Sequence, residues 1–285
     1  MAAPVVSVII PARDAAATIG TQLEALAAQD VPVAWEVVVV DNGSTDGTRE
    51  VCARFQDRMA LSVLPCATPG TSAARNAGAR TARGEQLLFC DADDEVAPGW
   101  VAAMSRGLEA HDAVGGRIDD EALNRHLRYV PRHPEGLPVV AGFLPRTISA
   151  NLGVRAEVFA AVGGFREVYT YGSDDTELSW RLQLAGHTLG YVPDAVVRYR
   201  HRSRARDVAV KAFRTGRSRG RLFREYRGAG MPQPRLAGAL LRWARLVALA
   251  PVAPWRPAAR WRLADQAGAA LGRVVGSLEQ RVLYL

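Results

Sequence analysis

The stretch Val37-Val38-Val39-Val40-Asp41-Asn42-Gly43-Ser44-Thr45-Asp46-Gly47 joins an apolar strand to a polar turn and decides the fold class of this chain. Four consecutive valines are typical of a parallel strand, because helices cover both faces of such a strand. Comparable apolar runs predict strands near 5–10, 36–40, 60–64 and 86–90, and helical patterns alternate with them near 16–29, 46–55, 71–82 and 97–109. This alternation predicts βαβ units, and therefore an α/β fold with a mainly parallel, Rossmann-like sheet.

The composition is that of a globular protein rich in arginine. Of the 285 residues, 48% are hydrophobic, and the formal net charge of +7 comes almost wholly from arginine, since Lys211 is the only lysine. The phosphate loop GxxxxGK[ST] is excluded, because it requires a lysine within this motif and Lys211 does not lie in one. Cys52, Cys66 and Cys90 lack CxxC spacing and are expected to be ordinary buried thiols. The N-terminus passes directly into the first strand without a basic leader, so we expect a cytoplasmic location.

Polar loops follow three of the predicted strands. They are Pro11-Ala12-Arg13-Asp14, Asp41 to Gly47, and Asp91-Ala92-Asp93-Asp94. In open α/β sheets, ligands bind beyond the carboxyl ends of the strands. We therefore expect the three loops to face one crevice.

The acidic loop Asp91-Ala92-Asp93 offers two carboxylates that can lean toward the same ligand. One can accept a hydrogen bond from a ligand hydroxyl, and the other can bind a hard divalent cation such as Mg²⁺ or Mn²⁺. A solvated acidic loop explains the same residues equally well. Asp41, directly after the valine run, can accept hydrogen bonds from a nucleobase or a ribose, although turn formation alone also accounts for it.

Two further groups in the second half of the chain can complete such a site. Asp174 and Asp175 begin a predicted helix near 174–186, where acidic residues favour the helix dipole. One of two adjacent carboxylates can also have a raised pKa and serve as a general base. His201 follows the last predicted strand and is either a surface residue or a metal ligand beside Asp93.

The remaining segments are less regular. A Pro- and Arg-rich loop near 128–146 is a candidate substrate-facing flap, and 149–154, 155–162 and 163–165 are expected as a strand, a short helix and a turn. The runs 189–192 and 195–199 predict a hairpin. Beyond an Arg-rich block at 198–227, the segment 236–255 is apolar but interrupted by Arg and Pro, which favours an interfacial amphipathic helix or a helix packed on its own domain.

Taken as an ordered set, these motifs resemble the family 2 glycosyltransferases, which have the GT-A fold. The resemblance covers about Val5 to His201 and rests on the following stretches: Val8 to Pro11, Val39 to Thr48, Ala74 to Gly78, Asp91 to Asp94, Asn151-Leu152, Val162 to Phe165, and Asp174-Asp175. It implies a GT-A domain at 1–205 and an Arg-rich, amphipathic helical extension at 206–285.

The resemblance also implies roles for individual residues. Pro11, Ala12, Asp41, Arg75 and Asp91 would bind the nucleoside diphosphate sugar, and Asp93 with His201 would bind Mn²⁺ or Mg²⁺. Asp175 would be the catalytic base of an inverting transfer to an acceptor hydroxyl. Asn151 and Asp174 would lie near the acceptor or behind the reacting groups; Asp174 departs from the family's usual Glu by one methylene group.

Other classes remain open on sequence grounds. A dinucleotide-binding oxidoreductase would need GxGxxG after the first strand, where this chain has no glycine. A nucleotidyltransferase could use a similar sheet, although the Gly- and Lys-rich phosphate loop common in such enzymes is missing from the sequence. A non-enzymatic protein could use the Arg-rich block to bind nucleic acid, but an anionic membrane surface or a lipid diphosphate explains the charge more economically beside the 236–255 segment.

Overall fold

The computed structural model describes residues 3–127, 129–170 and 172–285. Within these residues the strands are β1 Val6–Ala12, β2 Trp35–Asp41, β3 Leu61–Pro65, β4 Gln86–Phe89, β5 Glu95–Val96, β6 Ala113–Asp119, β7 Val139–Val140, β8 Leu144–Pro145, β9 Leu152–Arg155 and β10 Leu189–Arg198. The helices are α1 Ile19–Ala27, α2 Thr48–Ala53, α3 Thr71–Thr81, α4 Trp100–Ala110, α5 Ala156–Ala161, α6 Asp174–Leu184, α7 Ala205–Tyr226, α8 Leu236–Leu249 and α9 Pro257–Gln280. The elements predicted in the first half of the chain are thereby confirmed.

The main sheet is mixed and has the strand order β3-β2-β1-β4-β9-β6-β10-β5. The first four strands in this order are parallel, and so are β6 and β10. Strand β9 runs antiparallel to both β4 and β6, and β5 runs antiparallel to β10. The carboxyl ends of β1, β2 and β4 therefore meet at one edge, where the predicted crevice lies.

Helices cover both faces of the sheet, which explains why its central strands are apolar throughout. One buried cluster packs Val8 and Ile10 of β1 against residues such as Leu23 of α1 and Trp100 of α4. The opposite cluster packs Ile9 against residues from β2, β4 and the helices on the other face. Cys52 and Cys90 are buried as expected, whereas Cys66 is partly exposed.

Two strand predictions differ from the structure. The predicted hairpin at 189–192 and 195–199 is wrong, because both halves belong to the single strand β10, whose pairing with β6 shifts between Val192 and Val196. Strand β6 was not predicted, since Gly115 and Gly116 interrupt its apolar pattern. At Gly116 a side chain has no room, because a Cβ would lie 2.1 Å from the carbonyl oxygen of Ala195.

The C-terminal segment is helical and packs on the rest of the chain. Helix α7 crosses α9 closely, and its last turns enter a buried cluster with Tyr169 and Trp180. The predicted helix near 236–255 is present as α8, whereas α9 was not predicted. Across the described residues, no helix is both long enough and apolar enough to cross a membrane.

Candidate functional site

A cleft of about 550 Å³ lies between the sheet edge and helices α6 and α7. Its lining contains acidic side chains from the two predicted acidic motifs, Asp91, Asp174 and Asp175, together with Arg75. The structure therefore brings together groups that are up to 99 positions apart in the chain. Pro11, Ala12 and Asp41 lie at the same sheet edge but are not part of this lining.

Asp41 is held in a buried turn next to Ala12. Its side chain is fully buried, and the carboxylate accepts hydrogen bonds from the backbone nitrogen of Ser44 at 2.9 Å and from Nε of Arg49. Burial alone would raise the pKa of Asp41, but the hydrogen bonds from Ser44 and Arg49 outweigh it and lower the pKa. Asp41 is therefore a preformed anion whose present partner is a largely exposed arginine.

The acidic turn after β4 places three carboxylates together. Oxygens of Asp91, Asp93 and Asp94 lie within 4.8 Å of one another. Asp94 is only 1% exposed; its Oδ1 accepts a hydrogen bond from the backbone nitrogen of Arg200 at 2.7 Å, and its Oδ2 has no partner in the described part of the chain. Burial, followed by repulsion from Asp91, raises the pKa of both Asp93 and Asp94.

These three residues fit a divalent cation. Hard oxygen ligands are those that Mg²⁺ and Mn²⁺ prefer, and the unpartnered Oδ2 of Asp94 is a buried acceptor without a donor. A cation would also relieve the repulsion that raises the two pKa values. Asp93 was predicted from the sequence as a metal ligand, whereas Asp94 was not.

Arg75 connects the acidic turn to helix α6. It is 3% exposed; Nη2 donates to Oδ1 of Asp91 at 2.7 Å, and Nη1 donates to Oδ2 of Asp174 at 2.9 Å. Burial raises the pKa of Asp174 to about 6; Arg75 lowers it in part, and Asp175 adds to the rise. Asp174 is therefore a mostly buried part of the cleft lining and a partner of Arg75.

Asp175 lies at the cleft surface, where both of its carboxylate oxygens have partners. Oδ2 accepts a hydrogen bond from Nη1 of Arg146 at 2.7 Å, and Oδ1 accepts one from the backbone nitrogen of Thr176 at 2.6 Å. Arg146 follows β8, at the end of the predicted flap, so this flap does face the cleft. Nothing in the local sequence identifies Arg146 as a partner of Asp175, because the two are 29 positions apart.

The structure places Asn151 and His201 elsewhere than expected. Asn151 is 1% exposed, and its amide accepts from Trp100 Nε1 and donates to the carbonyl oxygens of Arg117 and Ala195. It therefore links β6 to β10 and is not part of the cleft lining. His201 is not in the group with Asp93; its Nε2 hydrogen-bonds to Oδ1 of Asp120 at 2.7 Å.

Asp120, His133 and His201 form a separate polar cluster. Nδ1 of His133 also lies 2.7 Å from Oδ1 of Asp120. Burial would raise the pKa of Asp120, but hydrogen bonds with His133 and His201 lower it well below its usual value. The cluster ties the flap to the end of the main sheet. Asp120 and His133 were missed because neither belongs to a recognisable motif.

Helix α7 supplies the basic side of the cleft. Lys211, Arg214 and Arg219 line it from this helix, and Arg202 lines it from the preceding loop. Nζ of Lys211 donates to Oη of Tyr199 at 2.7 Å. The extension predicted at 206–285 thus forms one wall of the cleft.

A mixed sheet of this order, with an acidic turn at its open edge, is the architecture of the GT-A class of proteins. A solved structure of the mannosyltransferase PcManGT from Pyrobaculum calidifontis, in complex with GDP-Man and Mn²⁺, matches 98% of this chain and 88% of that chain with a TM-score of 0.69 at 22% identity. The architecture of this chain is therefore the GT-A fold.

Sequence comparison gives the family. The model of glycosyl transferase family 2 matches residues 7–169, so the chain belongs to this family. The validoxylamine A glucosyltransferase of Streptomyces hygroscopicus subsp. jinggangensis is 30% identical over 225 residues, which cover 64% of this chain and 52% of that protein. The glycosyltransferase AglE of Haloferax volcanii is 30% identical over 233 residues, which cover 75% of this chain and 72% of that protein. The match thus spans about half the length of the first relative.

Proposed function

We propose that this protein transfers a sugar from a nucleoside diphosphate sugar to an acceptor hydroxyl, with inversion at the anomeric carbon. One observation carries the proposal: Arg75 joins Asp91 of the acidic turn to Asp174, directly beside Asp175, in a single cleft. A donor on the acidic turn would then have its reacting carbon near a candidate base. Family membership favours this reaction over nucleotidyl transfer.

Asp175 is the proposed base. Its Oδ2 accepts the proton of the acceptor hydroxyl while the hydroxyl oxygen bonds to the anomeric carbon, and the bond from that carbon to the diphosphate breaks. A single displacement of this kind needs no covalent enzyme intermediate. Arg146 orients the carboxylate through its 2.7 Å hydrogen bond to Oδ2 and is a positioning residue.

The donor is proposed to lie along the sheet edge. Asp91 accepts a hydrogen bond from the ribose, and Asp41 with the Pro11-Ala12 loop contacts the base, which requires Asp41 to exchange Arg49 for the ligand. Asp93, and also Asp94, would hold Mn²⁺ or Mg²⁺. When bound, the cation neutralises the negative charge that develops on the departing diphosphate. His201, which hydrogen-bonds to Asp120, is not among the residues proposed to hold this cation.

We further propose that helix α8 and the turn after it contact an anionic membrane. Exposed apolar side chains gather there: Trp255 is 85% exposed, and Leu240 and Val247 are also largely exposed. Arg242 and Arg245 lie on the same helix. Arginine beside exposed Leu and Trp suits the boundary between phosphate headgroups and acyl chains.

A paired binding and transfer assay tests the reaction. Thermal unfolding with UDP-, GDP- and dTDP-sugars, with and without Mn²⁺, should identify one donor that raises the melting temperature, because a ligand of the folded state stabilises it. Asp175→Asn should keep this shift and lose transfer by at least a hundredfold, whereas Asp93→Ala should lose the metal-dependent shift. Asp57→Asn, at an exposed site, should behave as the unmodified protein.

Two outcomes would contradict the assignment. Full transfer by Asp175→Asn would remove it as the base. Release of diphosphate from a nucleoside triphosphate, without any response to sugar nucleotides, would favour nucleotidyl transfer.

A further inference from the structure

A second pocket, of about 330 Å³, opens beside the cleft, between the loop around His133 and helices α7 and α9. Both cavities are lined by Arg202, Lys211 and Arg219. The second pocket lacks the carboxylates of the acidic turn and of helix α6 in its lining. It is therefore continuous with the cleft but separate from the proposed donor and base positions.

This pocket carries an excess of positive charge. Arg202, Lys211, Arg219 and Arg273 line it, and Asp265 is the acidic residue in the lining. Throughout the described ranges, none of these four cations has a carboxylate oxygen within 4.0 Å. Among them only Lys211 donates a hydrogen bond to a protein atom, the Tyr199 hydroxyl, within the same ranges.

The arginines of the pocket also repel one another. Burial, followed by repulsion from the neighbouring Arg219 and Arg242, lowers the pKa of Arg273 to about 10. The pKa of Arg219 is lowered by burial first and then by Arg146 and Arg242. Arg219 and Arg273 are partly buried, and Asp265 offsets only part of their charge. An anionic ligand would relieve the remaining repulsion.

An apolar wall faces these cations. Trp261 of α9, Val208 of α7 and Tyr129 of the adjoining loop contribute to the lining. Aromatic and aliphatic side chains favour an organic group, whereas planar guanidiniums favour the oxygens of a phosphate. Together they suit a phosphate ester better than a free inorganic ion.

We infer that this pocket binds a phosphate or diphosphate group carried by the acceptor. The inference rests on the proposed function, because it places the acceptor's hydroxyl at Asp175 in the neighbouring cleft, with which the pocket shares lining residues. The donor's own diphosphate belongs with the acidic turn, whose residues do not line this pocket. The acceptor class is thus an anionic, phosphate-bearing molecule.

Phenyl phosphate is a suitable probe, because it combines a phosphate with one apolar ring. Isothermal titration should detect binding to the free protein and, with less than a threefold change in Kd, to protein saturated with Mn²⁺ and the nucleoside diphosphate of the identified donor. Arg273→Gln should weaken phenyl phosphate binding by about tenfold or more, because one charge-assisted hydrogen bond is lost. The Kd of the nucleotide should change less than twofold.

Controls separate the pocket from general surface charge. Arg224→Gln, at an exposed position of α7, should bind phenyl phosphate as the unmodified protein does, and phenol should bind at least tenfold more weakly than phenyl phosphate. The melting temperature of Arg273→Gln without ligand should equal or exceed that of the unmodified protein, because repulsion is relieved. If the melting temperature is maintained, any loss of binding is due to the missing guanidinium group and not to unfolding of the variant.

Two results would overturn the inference. Equal binding by Arg273→Gln and the unmodified protein would show that the pocket does not hold the phosphate. Loss of phenyl phosphate binding in the nucleotide-saturated protein would assign the anion to the donor site. Failure of every donor to bind would instead contradict the proposed function, and the titration of the free protein would still test the pocket.

Discussion

Arg75, itself buried, links two carboxylates that are 83 positions apart, the partly exposed Asp91 and the mostly buried Asp174. A buried ion pair contributes little net stability when complete, but removing one partner leaves an uncompensated charge. The cost therefore appears only when the link is broken. Arg75 thus combines a structural role with a place in the cleft lining.

Arg75→Ala should lower the free energy of unfolding by about 3 kcal/mol, because the buried Asp174 and the partly exposed Asp91 lose their cation. Arg80→Ala, at an exposed position in the same helix, should change it by less than about 0.5 kcal/mol. Urea denaturation of both variants measures the difference. Equal urea midpoints for Arg75→Ala and Arg80→Ala would mean that the two carboxylates do not need Arg75 for the stability of the fold.

The raised pKa of Asp174, about 6, predicts a pH dependence. Between about pH 4 and pH 6 the folded chain still holds a proton that the unfolded chain has released, so this group lowers the free energy of unfolding as the pH rises. Asp174→Asn lacks this group, so its free energy of unfolding relative to that of the unmodified protein should rise by up to about 3 kcal/mol between pH 4 and pH 6. Denaturation curves from pH 4 to 7 measure this gain, and Asp57→Asn should show none.

The residues of the site differ in how far the sequence alone could reveal them. Asp91, Asp93 and Asp175 follow strand or turn signals that are local in the chain. Arg146 and the Asp120 cluster depend on contacts made across 13 to 81 positions, which no local pattern encodes. Asn151 belongs to a recognised motif, but its burial and its hydrogen bonds to Trp100, Arg117 and Ala195 could not be read from that motif.

At the scale of elements, glycine sets how closely α7 and α9 approach. A Cβ at Gly272 would lie 2.1 Å from the carbonyl oxygen of Phe213, and one at Gly276 would lie 2.2 Å from that of Arg217. The four-residue spacing of Gly268, Gly272 and Gly276 puts all three on one helix face. This spacing is visible in the sequence and could have predicted α9 as a packed helix.

Gly272→Ala should lower the free energy of unfolding by about 1–3 kcal/mol, because the two helix backbones must separate. Gly238→Ala provides the matched control within α8, where the nearest atom is Nη1 of Arg242 at 3.6 Å and the helix interior favours alanine. It should raise stability by about 0.5–1 kcal/mol. Thermal unfolding of the two variants should therefore shift in opposite directions.

The incorrect hairpin at 189–199 has a physical explanation at the same scale. Pro193 and Asp194 are typical turn residues, and they do interrupt the ladder between β10 and β6. The interruption becomes a shift of register within one strand instead of a reversal. Pairing with β6 keeps β10 as one strand, and β6 was not predicted because of its two glycines. Local turn signals are therefore insufficient to distinguish a hairpin from a shift of register.

At the scale of the whole molecule, the unpaired apolar surface lies on α8 and the turn after it. Flotation with liposomes that contain phosphatidylserine should recover the protein with the lipid, and added salt should weaken the association. Substituting Ser for Leu240, Val247 and Trp255 together should abolish recovery, because each side chain is largely exposed. The folded core should be unaffected, as near-identical melting temperatures would verify.

Recovery of the triple variant with liposomes, equal to that of the unmodified protein, would exclude this surface. Neutral liposomes provide the complementary control for the contribution of arginine. Recovery that does not depend on lipid charge would assign the association to the apolar side chains alone.

Helix α7 has two contact surfaces: one lines the cleft, and the other packs against α9. The half of the site that would handle the donor comes from residues before 205, whereas the basic wall, apart from Arg202, comes from residues after it. Exchange of the segment from α7 onward between related proteins is thus a route to hybrid enzymes. Such hybrids would keep one sugar nucleotide while inheriting a new preference for the molecule that receives the sugar.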